Sequence, residues 1–201
     1  YLGVFTPTEA AAIGAAATGL IALLNRGLNR SNFVEALLAT ASSTAMIFLI
    51  VLGAGALNGF LAMSQLPQFA AEFVISQGLN PWAVLVAILI LYLILGCVMD
   101  SLSMILLTVP IVFPMVTALD FGLPPEEFAI WFGIIILIVV EVGLITPPVG
   151  MNLFVINSLA KGTSLAQTYK GVLPFVASDL IRTAILTMFP VISLFLVRLL
   201  Y

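Results

Sequence analysis

The feature that most constrains this chain is an apolar run over residues 128–160 that is broken in its middle by GLITPPVG at 143–150. Glu141 is the one charged residue in the run. Such a stretch exceeds the roughly 20 apolar residues that a helix needs to cross a bilayer. Yet Pro147 and Pro148 remove two backbone donors and block continuation of the helix that precedes them. The flanking Gly143 and Gly150 permit backbone conformations that other residues avoid. Unwound backbone at membrane depth is tolerated only where protein buries it or where it lines a watery cavity. The rest of the chain has the same character, with 63% apolar residues, 7% charged residues and a mean hydropathy of +1.28. A soluble domain carries about 25% charged residues, so a soluble enzyme, a nucleic-acid binder and a disordered tail are excluded. The expected class is an all-α polytopic membrane protein.

Cys97 is the lone cysteine, which excludes an intrachain disulfide and a cysteine-based metal site, and the chain has no histidine. It opens at Tyr1 with a turn leading straight into a helix, which reads as part of a longer polypeptide.

Hydrophobic patterning divides the chain into segments. A first span is expected over residues 8–24, an interfacial arm helix over 31–40 and a second span over 41–63. Together these make a region, 1–63, and a polar loop without basic residues over 64–80, expected outside, follows it. An interrupted pair of apolar runs covers 81–119, with MDSLS at 99–103 between them. The discontinuous stretch over 128–160 comes next, then a last span within 171–201 that contains Asp179, Arg182 and Pro190.

Charge placement orients these spans. Basic residues concentrate in cytoplasmic loops. With Arg26 and Arg30 inside, the acidic loop at 120–127 falls outside. Lys161 and Lys170 then join the arginines inside only if 128–160 crosses once as a broken helix. That makes 81–119 a re-entrant hairpin opening outward, two short full spans being the alternative.

Several motifs carry chemistry. Thr6, Pro7 and Glu9 form a capping box that starts a helix. The 143–150 break should leave carbonyl oxygens of the first half-helix without partners. With the Thr146 and Asn152 side chains, these oxygens suit a hard cation such as sodium. The second half-helix starts near 147–150, and its positive end suits a carboxylate. A proline kink near the membrane surface is the plainer alternative. Asp100, Ser101 and Ser103 place a carboxylate and two hydroxyls in an apolar run. Ionisable groups at such positions usually face an interior and have a function, unless Asp100 marks a surface turn. Glu141 either balances a cation or pairs with a basic group elsewhere. Asp179 and Arg182, three apart, read as a structural pair. The small residues Ala10, Gly14, Thr18, Gly55 and Gly59 read as close helix packing.

Three stretches resemble one family. GVFTPTEAA at 3–11 is similar to the GxFTPTEAA signature of the large membrane subunit of tripartite ATP-independent periplasmic (TRAP) transporters. LGCVMD at 95–100, followed by Pro110 and Pro114, resembles that family's LGxxMD…PIxxP stretch. EVGLITPPVGMN at 141–152 is similar to its ExGxxTPPVGxN core. The family's large subunit is about twice as long and consists of two inverted repeats, so this chain resembles the second. The resemblance implies an elevator-type ion-transporter fold without enzymatic activity, lodged in a bacterial inner membrane. It implies sodium-coupled uptake of an organic anion, such as a carboxylate or sialic acid. The implied partners are the N-terminal half of the large subunit, a small membrane subunit and a periplasmic solute-binding protein, besides the lipid bilayer. Carried over by residue, sodium is expected at Asp100, Gly143, Thr146, Gly150 and Asn152. Substrate is expected at Ser101, Ser103, Pro147, Pro148 and Asn152. Sodium is the coupling ion, and no other cofactor is implied. The rival functions are a stand-alone anion/sodium symporter of the same superfamily and a channel or structural membrane subunit.

Overall fold

The computed structural model describes residues 6–159 and 163–200. The GVF that opens the first motif and Lys161 lie outside the described residues. No strand occurs among the described residues, and the helices are α1 (Pro7–Leu24), α2 (Arg30–Ser64), α3 (Leu66–Ser76), α4 (Pro81–Gly96), α5 (Ser101–Thr117), α6 (Pro125–Ile145), α7 (Met151–Leu159), α8 (Leu165–Met188) and α9 (Pro190–Leu200). Of these, α2, α6 and α8 are long and apolar enough to cross a membrane. The chain divides into two compact units, Tyr1–Leu52 and Gly53–Tyr201.

In the first unit, α1 begins as its sequence dictates. The Glu9 N–H donates to Thr6 Oγ1 at 3.3 Å, and the Thr6 N–H donates back to Glu9 Oε2 at 2.7 Å. Asn29 starts α2, its side-chain oxygen accepting from the Asn32 N–H at 2.8 Å. The expected division into an arm over 31–40 and a span from 41 does not appear as a break. Arg30–Ser64 is one helix of 35 residues, about 52 Å long at 1.5 Å per residue. No Gly or Pro lies between Arg30 and Leu52, so polarity changes along this stretch while the backbone has no reason to stop. Such a helix exceeds the roughly 30 Å hydrocarbon thickness. Among the described residues, no neighbouring group stands within 4 Å of a Cβ built on Gly14.

The second unit is built around α6. Its side chains Trp131, Phe132, Ile135, Ile136, Val139 and Val140 are buried, and α4, α5, α7, α8 and α9 all pack on it. Helices α4 and α6 run parallel. Trp82 meets Trp131 near their starts, with ring centroids 6.2 Å apart, and Gly96 meets Gly143 near their ends. Helix α5 returns antiparallel to α4. The Tyr92 and Thr108 hydroxyls lie 2.6 Å apart, and Phe113, late in α5, reaches Phe128 and Phe132, early in α6. The 81–119 stretch is therefore a helical hairpin. Its open end joins an aromatic cluster of Trp82, Phe113, Phe121, Phe128, Trp131 and Phe132. At 16 and 17 residues, each arm is about 25 Å long.

Two further elements, both in this unit, differ from the sequence reading. Residues 66–76, expected as loop, form α3, which packs against α5. Gln65 turns the chain into it with φ 55°, and Val74 is buried. The last span is two helices. Ser164 and Gln167 cap α8 reciprocally, and α8 stops at Met188 because Pro190 bars Phe189 from helical geometry. Helix α8 runs antiparallel to α6, the Trp131 indole N–H donating to the Leu186 carbonyl at 2.9 Å. On α9, Arg198 bonds Glu127 through Nε–H to Oε1 at 3.0 Å. The expected Asp179–Arg182 pair forms at 2.9 Å.

Candidate functional site

The hairpin tip and the helix break lie together at the end of the second unit opposite the aromatic cluster. Each is shaped by a few residues.

At the tip, α4 ends at Gly96 and Asp100 caps α5. The Ser103 N–H donates to Asp100 Oδ1 at 3.0 Å, and the Met104 N–H donates to the Asp100 carbonyl at 3.1 Å. A carboxylate at this position also sits favourably against the positive end of the helix dipole. Asp100 is exposed, Ser101 half-buried and Ser103 buried.

At the break, α6 continues to Ile145 and α7 resumes at Met151. The unwound segment is therefore shorter than the span between its flanking glycines. Gly143 lies within α6, while Gly150 is the glycine that adopts a left-handed backbone, with φ 57°. Pro147 and Pro148 lack the N–H groups that would have closed the helix on the Gly143 and Leu144 carbonyls. The Gly143 carbonyl recovers a partner in the Thr146 N–H at 3.0 Å, and the Thr146 hydroxyl donates to the Val142 carbonyl at 2.6 Å. Gly143 is thus a helical residue whose carbonyl is engaged. Among the described residues, no backbone N–H bonds the carbonyls of Leu144, Ile145 or Thr146. The freed oxygens begin one residue later than the motif implies, and the Thr146 Oγ1 lone pairs remain beside them. Asn152 is exposed in the first turn of α7, as is Pro148 in the break, and Pro147 is half-buried. The Pro147–Pro148 peptide bond is cis.

Contact between tip and break is direct. A Cβ built on Gly96 would stand 3.0 Å from Gly143 Cα, and Cys97 Sγ lies 3.9 Å from the Pro147 carbonyl oxygen. The contact runs through Gly96 and Cys97, just before the Asp100–Ser103 turn, and reaches Gly143 and Pro147 in the break. Glu141, exposed on α6, forms no salt bridge among the described residues.

One contributor escapes sequence reasoning. Tyr169, on α8, aims its hydroxyl at the carbonyls of Pro148 (3.0 Å) and Val149 (2.8 Å). Nearby, the Thr168 hydroxyl donates to Asn157 Oδ1 at 3.0 Å, tying α8 to α7. Tyr169 stands 21 residues beyond Pro148, with no periodic relation to the break.

Comparison with known proteins gives one consistent answer. The family described as "Tripartite ATP-independent periplasmic transporter, DctM component" matches residues 1–192. The chain is 38% identical over 195 residues to the C4-dicarboxylate TRAP transporter large permease protein DctM of Pseudomonas aeruginosa, covering 96% of this chain and 44% of that protein. It is 34% identical to the sialic acid TRAP transporter large permease protein SiaM of Vibrio cholerae, over 98% of this chain and 44% of the relative. Identity is also 34% to the isethionate TRAP transporter permease protein DctMQ of Oleidesulfovibrio alaskensis, over 97% and 30% respectively. The chain thus spans less than half the length of these relatives, which are permeases and not enzymes. Matched along nearly its whole length, and carrying the family's motifs at the hairpin tip and at the helix break, the chain belongs to the DctM component family of tripartite ATP-independent periplasmic transporters.

Proposed function

We propose that this chain is one inverted-repeat half of an elevator-type transporter, multi-pass in a bacterial inner membrane, that moves an organic anion inward on a sodium gradient. The observation that carries this reading is the junction of a hairpin tip with a broken helix, at which the Leu144 carbonyl loses its donor to Pro148 and the unwinding that follows leaves the Ile145 and Thr146 carbonyls without one. Secondary transporters place their substrate and ion sites at such discontinuous helices.

The chemistry of the junction suits sodium. Hard cations take oxygen ligands, and the free carbonyls over 144–146 with Thr146 Oγ1 supply neutral ones. Among the described residues, no three His, Cys, Asp or Glu side chains gather at one place, so a cation here is held chiefly by main-chain oxygen. Asp100 contributes negative charge from the tip, with Gly150 and Asn152 closing the far side of the break. The α7 N-terminus, together with Ser101, Ser103, Pro147, Pro148 and Asn152, covers one flank of an anionic substrate. The relatives act on C4-dicarboxylates, sialic acid and isethionate, as their names state, and the substrate proposed here is likewise an organic acid. The remaining flank comes from the other half of the large subunit. A small membrane subunit completes the membrane complex, and a periplasmic solute-binding protein delivers the substrate.

The test is the sodium dependence of uptake. Thr146→Ala combined with Asn152→Ala should raise the sodium concentration for half-maximal uptake. An unchanged sodium dependence removes these residues from the ion site.

A further inference from the structure

Two glycines meet where the tip rests on the break, and neither is there for its backbone freedom. Positive φ among the described glycines is confined to Gly78, Gly122 and Gly150. What Gly96 and Gly143 lack is room. A Cβ on Gly143 would stand 2.7 Å from Gly96 Cα, 3.0 Å from the Gly96 carbonyl carbon and 3.1 Å from the Leu93 carbonyl oxygen. A Cβ on Gly96 would meet Gly143 Cα at 3.0 Å and the Val140 carbonyl oxygen at 3.1 Å. All of these neighbours are backbone, so no side-chain rotation relieves the overlap and a whole helix must move. By contrast, among the described residues no group outside its own turn of α6 stands within 4 Å of the Cβ position of Gly133. A second contact marks the same seam. Cys97, one residue beyond Gly96, lies 3.9 Å from the Pro147 carbonyl oxygen and is only 5% exposed.

We propose that Gly96 and Gly143 are positioning residues for the ion site. Their backbone-to-backbone contact sets how deeply the hairpin tip seats on the break. It thereby fixes the spacing between the Asp100 turn and the free carbonyls over 144–146. The inference rests on the reading that the break binds sodium, and its test separates the two.

The test uses the intact transporter, carrying Gly143→Ala, Gly96→Ala or the control Gly133→Ala. Uptake is measured against sodium concentration in proteoliposomes. Maleimide labelling of the Cys97 peptide in detergent is followed by mass spectrometry. Gly143→Ala should raise the sodium requirement roughly 10–100-fold, the range seen when outer-shell supports of metal sites are removed. Gly96→Ala, with the milder overlap, should raise it less and supplies the result if Gly143→Ala does not fold. Gly133→Ala should match the wild type. Cys97 labelling should accelerate in the same order as the tip lifts. Unchanged labelling and unchanged sodium dependence in both seam variants overturn the proposal. Faster labelling with an unchanged sodium requirement overturns it too, because the seam then seats the tip without setting the ion. Sodium-independent uptake by the wild type refutes the parent reading instead, and the labelling order still reports whether the glycines seat the tip.

Discussion

Inside the hairpin, a buried hydroxyl pair allows its contribution to be worked out in advance. Tyr92 is 0% exposed, and its hydroxyl lies 2.6 Å from Thr108 Oγ1. The Thr108 hydroxyl donates its single hydrogen to the Met104 carbonyl at 2.7 Å, so the Tyr92 O–H is the donor between the two. The two deletions are therefore unequal. Tyr92→Phe loses one hydrogen bond and strands nothing, costing about 0.5–1.5 kcal/mol. Thr108→Val leaves a buried phenol without an acceptor, costing about 1–3 kcal/mol. The double variant removes donor and acceptor together and should be nearly as stable as Tyr92→Phe alone, giving a non-additive cycle. The assay is thermal unfolding of the purified transporter in detergent, all four proteins measured at one scan rate. The expected order of melting temperature is wild type highest, then Tyr92→Phe and the double variant close together, with Thr108→Val lowest. Tyr92→Phe falling below Thr108→Val, or strictly additive losses in the double variant, would refute the donor assignment.

Three further outcomes follow from the break and from the packing of α8 on α6. Gly150→Ala places a side chain on a left-handed backbone at a cost of about 1–2 kcal/mol. Its Cβ would also crowd Leu153 Cδ1 and the Thr146 carbonyl oxygen, both at 3.2 Å, so both melting temperature and uptake should drop, and wild-type values would count against this geometry. Tyr169→Phe removes the hydroxyl that holds the Pro148 and Val149 carbonyls, a loss of about 0.5–1.5 kcal/mol. Its transport should therefore persist with a sodium requirement shifted by less than about tenfold, as read from uptake against sodium concentration. Trp131→Phe keeps an aromatic ring beside Trp82, Phe121 and Phe128 but deletes the bond to the Leu186 carbonyl and leaves space in a fully buried site. It should lower the melting temperature by an amount matching about 1 kcal/mol or more.

What the sequence revealed, and what it did not, follows from the range of the forces involved. The break was legible because Pro147 and Pro148 act locally: a missing N–H stops a helix whatever surrounds it. The polar interruption at 99–103 is legible as the point where the hairpin turns, but the capping of α5 by Asp100 is not part of that reading, although a cap is a contact within three residues. Helix α3 was missed although Leu66, Phe69, Ala70 and Phe73 recur at helical spacing. Eleven residues with several polar ones among them read as loop when the comparison is with full spans. The arm and second span of α2 were separated on polarity alone, which sorts a helix between water and lipid but does not end it. Gly143 shows the deeper limit. A sequence presents a glycine needed for its backbone angle and one needed for a neighbouring helix in the same way. Only the fold reveals that Gly96, 47 residues earlier, is what Gly143 must accommodate. Tyr169 belongs with it, because its partners are set by how α8 packs beside α6.

The most direct test of sodium gripped by unwound backbone is uptake into proteoliposomes by the complete complex. The assay combines the full large subunit with the small membrane subunit proposed above and a candidate solute-binding protein. Substrate should accumulate when an inward sodium gradient is imposed, and only baseline uptake should remain when sodium is equal on both sides or replaced by potassium. Equal accumulation with and without the gradient would contradict ion coupling at the break.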